Sequence, residues 1–284
     1  MWVLFSILTV LFWGTSDVVF KSVATDEPGG AAELLACNGI VLGLCGILYG
    51  LVAQIDFRPI ALLYYLPIAA AYLASMVCYY NALPLIKLSI QSPVANCSCA
   101  LVSILCVVVL KQTLTPIQAA AIVVMVTCMA LLSRNRETEH ARQKTYPLGI
   151  LLALGYFLLD GIGSFLDDYI LEGTLSADEV FVTYALIYGL LGLCCLLYLR
   201  RKQPGRPLVT HPRRIAGALL ETGGQFTYVY AFAYGDAVLA SPFIASFSAV
   251  SILFSRLFLR EKLTKFQYVL VFFILCGMFI LAIE

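Results

Sequence analysis

The sequence is poor in charged residues. Only 12% of its 284 residues are charged, whereas 61% are hydrophobic and the mean hydropathy is +0.92. Soluble domains carry charge on about a quarter of their residues, so this composition excludes a water-soluble fold. The net charge is +1, and no basic stripe occurs outside the connecting loops, which argues against nucleic acid as a partner.

The sequence also lacks the motifs of common catalytic and metal sites. Its two histidines, His140 and His211, fall in charged connecting segments, and its ten cysteines are scattered without a CxxC pair. No phosphate-binding glycine loop is present. We therefore predict no enzymatic activity, catalytic residue, cofactor or metal site, and we interpret the cysteines as small packing residues.

Long apolar runs dominate what is present. A helix needs about 20 apolar residues to cross a bilayer, and the chain contains ten such runs bounded by charges, Pro or Gly. The first 12 residues lack the features of a signal peptide, so we expect Met1 to begin the first helix. The fold class predicted is an all-α integral membrane protein with ten transmembrane helices. The predicted spans are 2–23, 32–53, 60–82, 88–110, 116–133, 147–171, 178–199, 213–234, 237–259 and 265–283.

An internal repeat divides these spans into two sets of five. The segment 110–118 (LKQTLTPIQ) recurs at 259–267 (LREKLTKFQ), and Ser92-Pro93 recurs as Ser241-Pro242 at the same offset (241 − 92 = 149). Because an odd number of spans separates the copies, the second half would be inverted in the membrane, as in many secondary transporters. We predict a five-helix repeat at 1–133, a polar linker at 134–146 and a second five-helix repeat at 147–284.

The basic residues predict an orientation. If the N-terminus faces outside, sixteen Lys and Arg residues lie in or beside cytoplasmic loops, and only Arg58 and Lys111 lie on the other side. Loops rich in Lys and Arg usually remain in the cytoplasm. The charge distribution therefore predicts that both termini are outside.

Ionisable residues within the apolar runs are the main candidates for function. Asp160 and Ser164 share one face of the sixth span, and Asp167 and Asp168 follow on that face near its end. Buried acids are costly in a membrane and usually face a cavity or a neighbouring helix. Asp160 could therefore bind substrate or a proton, or it could form a structural hydrogen bond. For Asp167 and Asp168 we favour solvation near the membrane surface.

Two further spans carry acids. In the eighth span, Glu221 shares a face with Gln225 and Tyr228. Like Asp160, Glu221 could bind substrate or a proton, or it could form a structural hydrogen bond between helices. Asp17 in the first span is followed by Lys21 at i+4, so the two could neutralise each other. A carboxylate-lined site would attract protons or organic cations.

Prolines and aromatic residues give weaker signals. Pro93 and Pro242 interrupt the fourth and ninth spans at matched positions, which predicts hinges at a central site or plain packing kinks. Polar Gln91 and Asn96 lie near the first proline. Tyrosines near the acids could form a cage for a protonated amine or belong to interfacial belts. The tyrosines proposed for the site are Tyr79 and Tyr228.

Several of these residues carry a family resemblance. Trp13-Gly14-Thr15-Ser16 with Lys21 at the end of the first span, the two Ser-Pro pairs and the turn at 259–264 resemble EamA-type members of the drug/metabolite transporter superfamily. The resemblance implies a ten-helix inverted repeat, a central cavity and alternating access. It also implies cytoplasmic termini, opposite to the charge distribution. Shorter multidrug relatives use a glutamate in their first helix, for which Asp17 is the nearest analogue here. Trp13 is the motif residue that we include in the predicted site.

We therefore predict a secondary-active transporter of a small organic solute in the bacterial plasma membrane. The solute would be a metabolite, an amino acid, or an organic cation or drug, and coupling to protons through the membrane carboxylates is one possibility. Its partners would be the solute, the lipid bilayer and protons, and the protein would be a monomer or homodimer. A lipid-translocating or accessory membrane subunit is the alternative, and a lipid-modifying enzyme is less favoured.

Overall fold

The computed structural model describes residues 1–25, 27, 29–134, 145–202, 211–260 and 263–283, and within them all regular structure is helical. Most of the predicted linker at 134–146, including His140, lies outside these residues. The helices are α1 (Trp2–Val23), α2 (Gly30–Val52), α3 (Ile60–Ala82), α4 (Leu88–Asn96), α5 (Ser98–Leu105), α6 (Pro116–Arg134), α7 (Tyr146–Leu171), α8 (Ala177–Lys202), α9 (Pro212–Ala233), α10 (Ala237–Ala245), α11 (Phe247–Phe254) and α12 (Lys265–Ile283).

Eight helical segments of the described chain are long and apolar enough to cross a membrane, which makes this a multi-pass membrane protein. They include Leu88–Leu110 and Ala237–Leu259, each taken as one segment. Helix α9 falls outside this group, and it carries Arg213, Arg214 and Glu221. The apolar part of α6 is shorter than the others. Polar content and length thus account for the difference from the ten predicted spans.

The fourth and ninth predicted spans are each divided into two α-helices, so the matched prolines do interrupt them. Each breaks four residues after its proline, at Cys97 between α4 and α5 and at Ser246 between α10 and α11. Proline cannot donate a backbone hydrogen bond and crowds the preceding turn, which weakens the helix locally. Each segment then ends in a π-helical turn, Cys106–Leu110 or Ser255–Leu259.

The turns that follow these segments repeat in detail. Lys111 and Arg260 both adopt left-handed backbone conformations, with φ of 60° and 57°. The next helices begin with reciprocal capping: the backbone N–H of Thr115 donates to the Gln118 side chain, while the Gln118 N–H bonds the Thr115 hydroxyl at 3.2 Å. Thr264 and Gln267 form the same pair of bonds at the start of α12. The capping box explains why the recurring Thr-x-x-Gln motif starts a helix.

The main helix pairs join an early helix to a late one: α1 packs on α9, α2 on α8, α3 on α7 and α6 on α12. The α2–α8 contact depends on glycine. A Cβ on Gly39 would lie 2.5 Å from the Tyr188 carbonyl oxygen and 2.8 Å from the Gly192 Cα, so only hydrogen permits this approach. The resulting bundle places α1, α3, α7 and α9 around a central cavity, with α4–α5 and α10–α11 completing its wall.

Candidate functional site

The central cavity brings together most of the residues singled out from the sequence. It is lined from both halves of the chain, and the space open to the centres of water molecules is about 50 Å³. The predicted site residues that line it are Trp13, Asp17, Tyr79, Asn96, Asp160, Ser164, Glu221, Gln225 and Tyr228.

Asp17 is held by hydroxyl groups, whereas Lys21, the partner that the sequence offered as one alternative, bonds elsewhere. Its carboxylate accepts hydrogen bonds from Tyr79, from Ser92 at 3.1 Å and from Ser251 at 2.7 Å. These donors come from α3, α4 and α11, which fixes the carboxylate among three helices. Lys21 donates its ammonium hydrogens to the backbone carbonyl groups of Leu83 and Ile86, at the end of α3.

Asp160 and Glu221 are less fully bonded than Asp17. Asp160 accepts a hydrogen bond from Ser98 on Oδ2 at 2.9 Å and another from Tyr156. Ser16 donates to Glu221 Oε2 at 3.0 Å. A carboxylate can accept about four hydrogen bonds, so both groups retain acceptor capacity toward the cavity. No lysine, arginine or histidine is among the described residues that line this cavity. The site is therefore acidic and suited to a positively charged group or a proton.

An aromatic wall faces part of the cavity. The Trp13 ring lies 5.2 Å from the Tyr228 ring and 5.6 Å from the Phe247 ring, measured between centroids. The indole fits against α9 because residue 224 is glycine: a Cβ there would lie 2.5 Å from Trp13 Nε1. Aromatic faces of this kind attract cations and apolar groups alike.

Asp167 and Asp168 are buried, so their predicted solvation at the membrane surface is wrong. Asp167 is 0% exposed and accepts hydrogen bonds from Tyr65 at 2.6 Å and from Tyr72 at 2.8 Å. Gln112 donates to Asp168 at 2.6 Å. The Tyr72 hydroxyl also lies 2.8 Å from that of Tyr228, which links Asp167 to the cavity lining.

Sequence reasoning missed this Asp167 cluster. Tyr65 and Tyr72 are seven residues apart and therefore share a face of α3, but that spacing does not identify their partner. The packing of α3 on α7 supplies it. Neither Tyr65 nor Tyr72 carries a signal in the sequence that identifies it as a partner of Asp167.

Three predicted residues lie away from the cavity lining. The Gln91 side chain donates to the Tyr79 carbonyl oxygen at 2.9 Å and so joins α4 to α3. Pro93 and Pro242 are buried within α4 and α10. Asn96, which does line the cavity, donates to the Ser92 carbonyl oxygen at 2.8 Å and spans the turn around Pro93.

Comparison with known proteins agrees with this architecture of a multi-pass helical membrane protein around an internal cavity. The chain belongs to the EamA-like transporter family, whose model matches residues 1–134 and again 147–283. It is thus a membrane transporter of the drug/metabolite transporter superfamily, as the sequence resemblance predicted.

Solved structures support the fold alone. One, titled "Crystal structure of protein", is 16% identical in sequence, with a TM-score of 0.75 over 98% of this chain and 95% of that chain. No curated protein matches the chain.

Proposed function

We propose that this protein is a secondary-active transporter that moves a small organic solute through the central cavity by alternating access, with protons as the coupling ion. The proposal rests mainly on one observation: Asp17, Asp160 and Glu221 line a single cavity, to which both halves of the chain contribute side chains. Carboxyl groups in such a setting can exchange a proton for a bound cation. Trp13, Ser164, Gln225, Asn96, Tyr79 and Tyr228 complete the proposed site.

We further propose ten spans in two inverted repeats, 1–133 and 147–284, joined by the linker 134–146. Matching contacts support the relation between the halves. Gly14 packs against Val250, where a Cβ on the glycine would lie 2.7 Å from a side-chain carbon. Gly161 packs against Leu101, where the corresponding distance would be 2.9 Å. Leu101 and Val250 differ by 149 positions (250 − 101), which is the offset of the recurring sequence motifs. The two contacts are thus related by exchanging the halves.

Alternating access requires the bundle to open at each end in turn, and polar contacts are available at both ends. At one end, Lys21 ties α1 to the end of α3. At the other end, Arg58 pairs with Glu179 at 2.6 Å. In the proposed cycle, the Lys21 bonds break while the Arg58–Glu179 pair remains, and then the reverse occurs. Pro93 and Pro242 serve as hinges beside the cavity.

We place the protein in the bacterial plasma membrane with both termini outside, as the basic residues predict. Its partners in this proposal are the solute, protons and the surrounding lipid, and it acts as a monomer or a homodimer. Gln91 contributes by holding α4 against α3.

Purified protein in proteoliposomes provides the test. Amines, amino acids, sugars and nucleosides would be screened for thermal stabilisation, and each stabilising solute would be tested for uptake driven by a pH gradient. Wild type should transport at least one solute, and Asp160→Asn should abolish the pH-driven component because the amide cannot exchange a proton.

Asp236→Asn is the matched control, since Asp236 is an exposed carboxylate outside the cavity lining. It should transport like wild type. Full pH-driven uptake by Asp160→Asn would show that Asp160 does not couple proton movement to transport. Failure of every screened solute to stabilise the protein or to cross the membrane would contradict a solute-transport function.

A further inference from the structure

The cavity contains unpaired hydrogen-bond donors as well as acids. Gln225 Nε2 and Trp13 Nε1 are both buried, and neither has a hydrogen-bond partner among the described residues. Both side chains line the cavity. A buried N–H group without an acceptor is costly, so the two groups indicate that an acceptor atom is supplied by something that enters the cavity.

The Trp13 indole packs against the residue that precedes Gln225 on α9. Gln225 follows Gly224 on α9, and Trp13 Nε1 would be 2.5 Å from a Cβ on Gly224. The indole and the Gln225 side chain therefore belong to neighbouring positions in the cavity wall.

The acidic groups determine the charge of the bound solute. Asp160 accepts hydrogen bonds from Ser98 and Tyr156, and Glu221 accepts one from Ser16. A carboxylate can accept about four hydrogen bonds, so each group can accept further bonds from an ammonium group. A carboxylate on the solute would have no cationic partner among the described lining residues. An unpaired buried anion is strongly disfavoured. The acceptor that meets Gln225 and Trp13 should therefore be a neutral oxygen.

We propose that the cavity selects a compact organic cation with a protonated amine and a neutral acceptor oxygen, such as an amino amide or amino alcohol. Asp160 and Glu221 hold the amine, and Gln225 and Trp13 donate to the oxygen. The aromatic wall of Trp13, Tyr228 and Phe247 packs on the apolar part. The inference deepens the proposed transport function and rests on it.

Three matched probes separate these contributions: alaninamide, alanine and isopropylamine. Alaninamide has both the amine and the neutral oxygen, alanine replaces the amide with a carboxylate, and isopropylamine replaces it with a methyl group. A second set with a larger side chain consists of phenylalaninamide, phenylalanine and 2-phenylethylamine, in which hydrogen replaces the amide. Binding is measured by thermal stabilisation in detergent, and transport by uptake into proteoliposomes at neutral pH.

The amides should bind at least about tenfold more tightly than the simple amines, because the simple amines lack the oxygen that accepts from Gln225 and Trp13. They should also bind at least about tenfold more tightly than the zwitterions. Gln225→Met and Trp13→Phe should each reduce the preference for amide over amine, because each variant removes one donor to the oxygen. Asp160→Asn should weaken the binding of every amine, and Asp236→Asn should leave the binding of all probes unchanged. Size-exclusion profiles and melting temperatures confirm that each variant is folded.

Three outcomes overturn the inference while leaving the transport function in place. The first is equal or tighter binding of the zwitterions. The second is an unchanged amide preference in Gln225→Met. The third is failure of all six probes when a sugar, nucleoside or anion from the broader screen is transported. Failure of every solute in the broader screen instead contradicts the transport function itself.

Discussion

At the residue scale, the structure distinguishes the carboxylates by their partners. Asp17 and Asp167 are held by several hydroxyl groups from neighbouring helices. Asp160 and Glu221 accept fewer bonds from neighbouring helices and line the cavity. The first two therefore hold helices together in this conformation, whereas the second two retain the capacity to bind a solute.

Asp167 gives a prediction about stability. Asp167→Ala should lower the free energy of unfolding by about 1–3 kcal/mol, because the hydroxyls of Tyr65 and Tyr72 both lose an acceptor. Asp167→Asn should cost less, since the amide oxygen remains an acceptor. Thermal unfolding in detergent measures both, with Asp236→Ala at the exposed position as control. Equal melting temperatures for Asp167→Ala and wild type would mean that these hydrogen bonds add no stability.

At the element scale, the contact between α2 and α8 depends on the absence of side chains. Gly39 and Gly43 of α2 meet Gly192 and Gly189 of α8 so closely that a Cβ on Gly43 would lie 2.9 Å from the Gly189 Cα. Close backbone approach lets van der Waals contacts hold helices together where lipid provides no hydrophobic driving force. Gly50, in the last turn of the same helix, is under no such constraint.

Alanine substitutions along α2 should therefore have opposite effects. Gly39→Ala should destabilise the protein by about 1–3 kcal/mol, because the added methyl group forces the helices apart. Gly50→Ala should be neutral or stabilising, since its nearest neighbour would be Val182 at 3.7 Å and alanine favours the helix. Unfolding in mixed detergent and denaturant compares the two variants. Similar effects at both positions would contradict a tight α2–α8 contact.

At the scale of the whole molecule, the proposed halves are related in geometry but differ in chemistry. Offsets of 147 (161 − 14) for α1 and α7 and 149 (228 − 79) for α3 and α9 relate positions that line the same cavity. Trp13 then corresponds to Asp160, and Tyr72 corresponds to Glu221. Asp160 and Glu221 are thus matched by aromatic residues in the other half, whereas Asp17 is matched by Ser164 (164 − 17 = 147), so a bound solute would meet two different walls.

The orientation of the molecule can be tested directly. With both termini outside, alkaline phosphatase fused after residue 284 should be active and a green fluorescent protein fused there should be dark, because the first folds outside the cytoplasm and the second does not. Insertion of each reporter in the 134–146 linker should give the reverse pattern. Fluorescence from the C-terminal fusion would instead place both termini in the cytoplasm, as the family resemblance implies.

The sequence by itself determined the helices, because hydropathy, capping residues and proline act locally. The spans 2–23, 60–82 and 265–283 agree with the structure residue by residue. The sequence did not identify which side chains pair across helices. From the sequence, Lys21 could have paired with Asp17, and Asp167 could have been solvated. Only tertiary structure gave Asp17 its tyrosine and two serines and enclosed Asp167 between two tyrosines. Which acid retains free acceptor capacity depends on the side chains that neighbouring helices bring to it, and helix packing decides that.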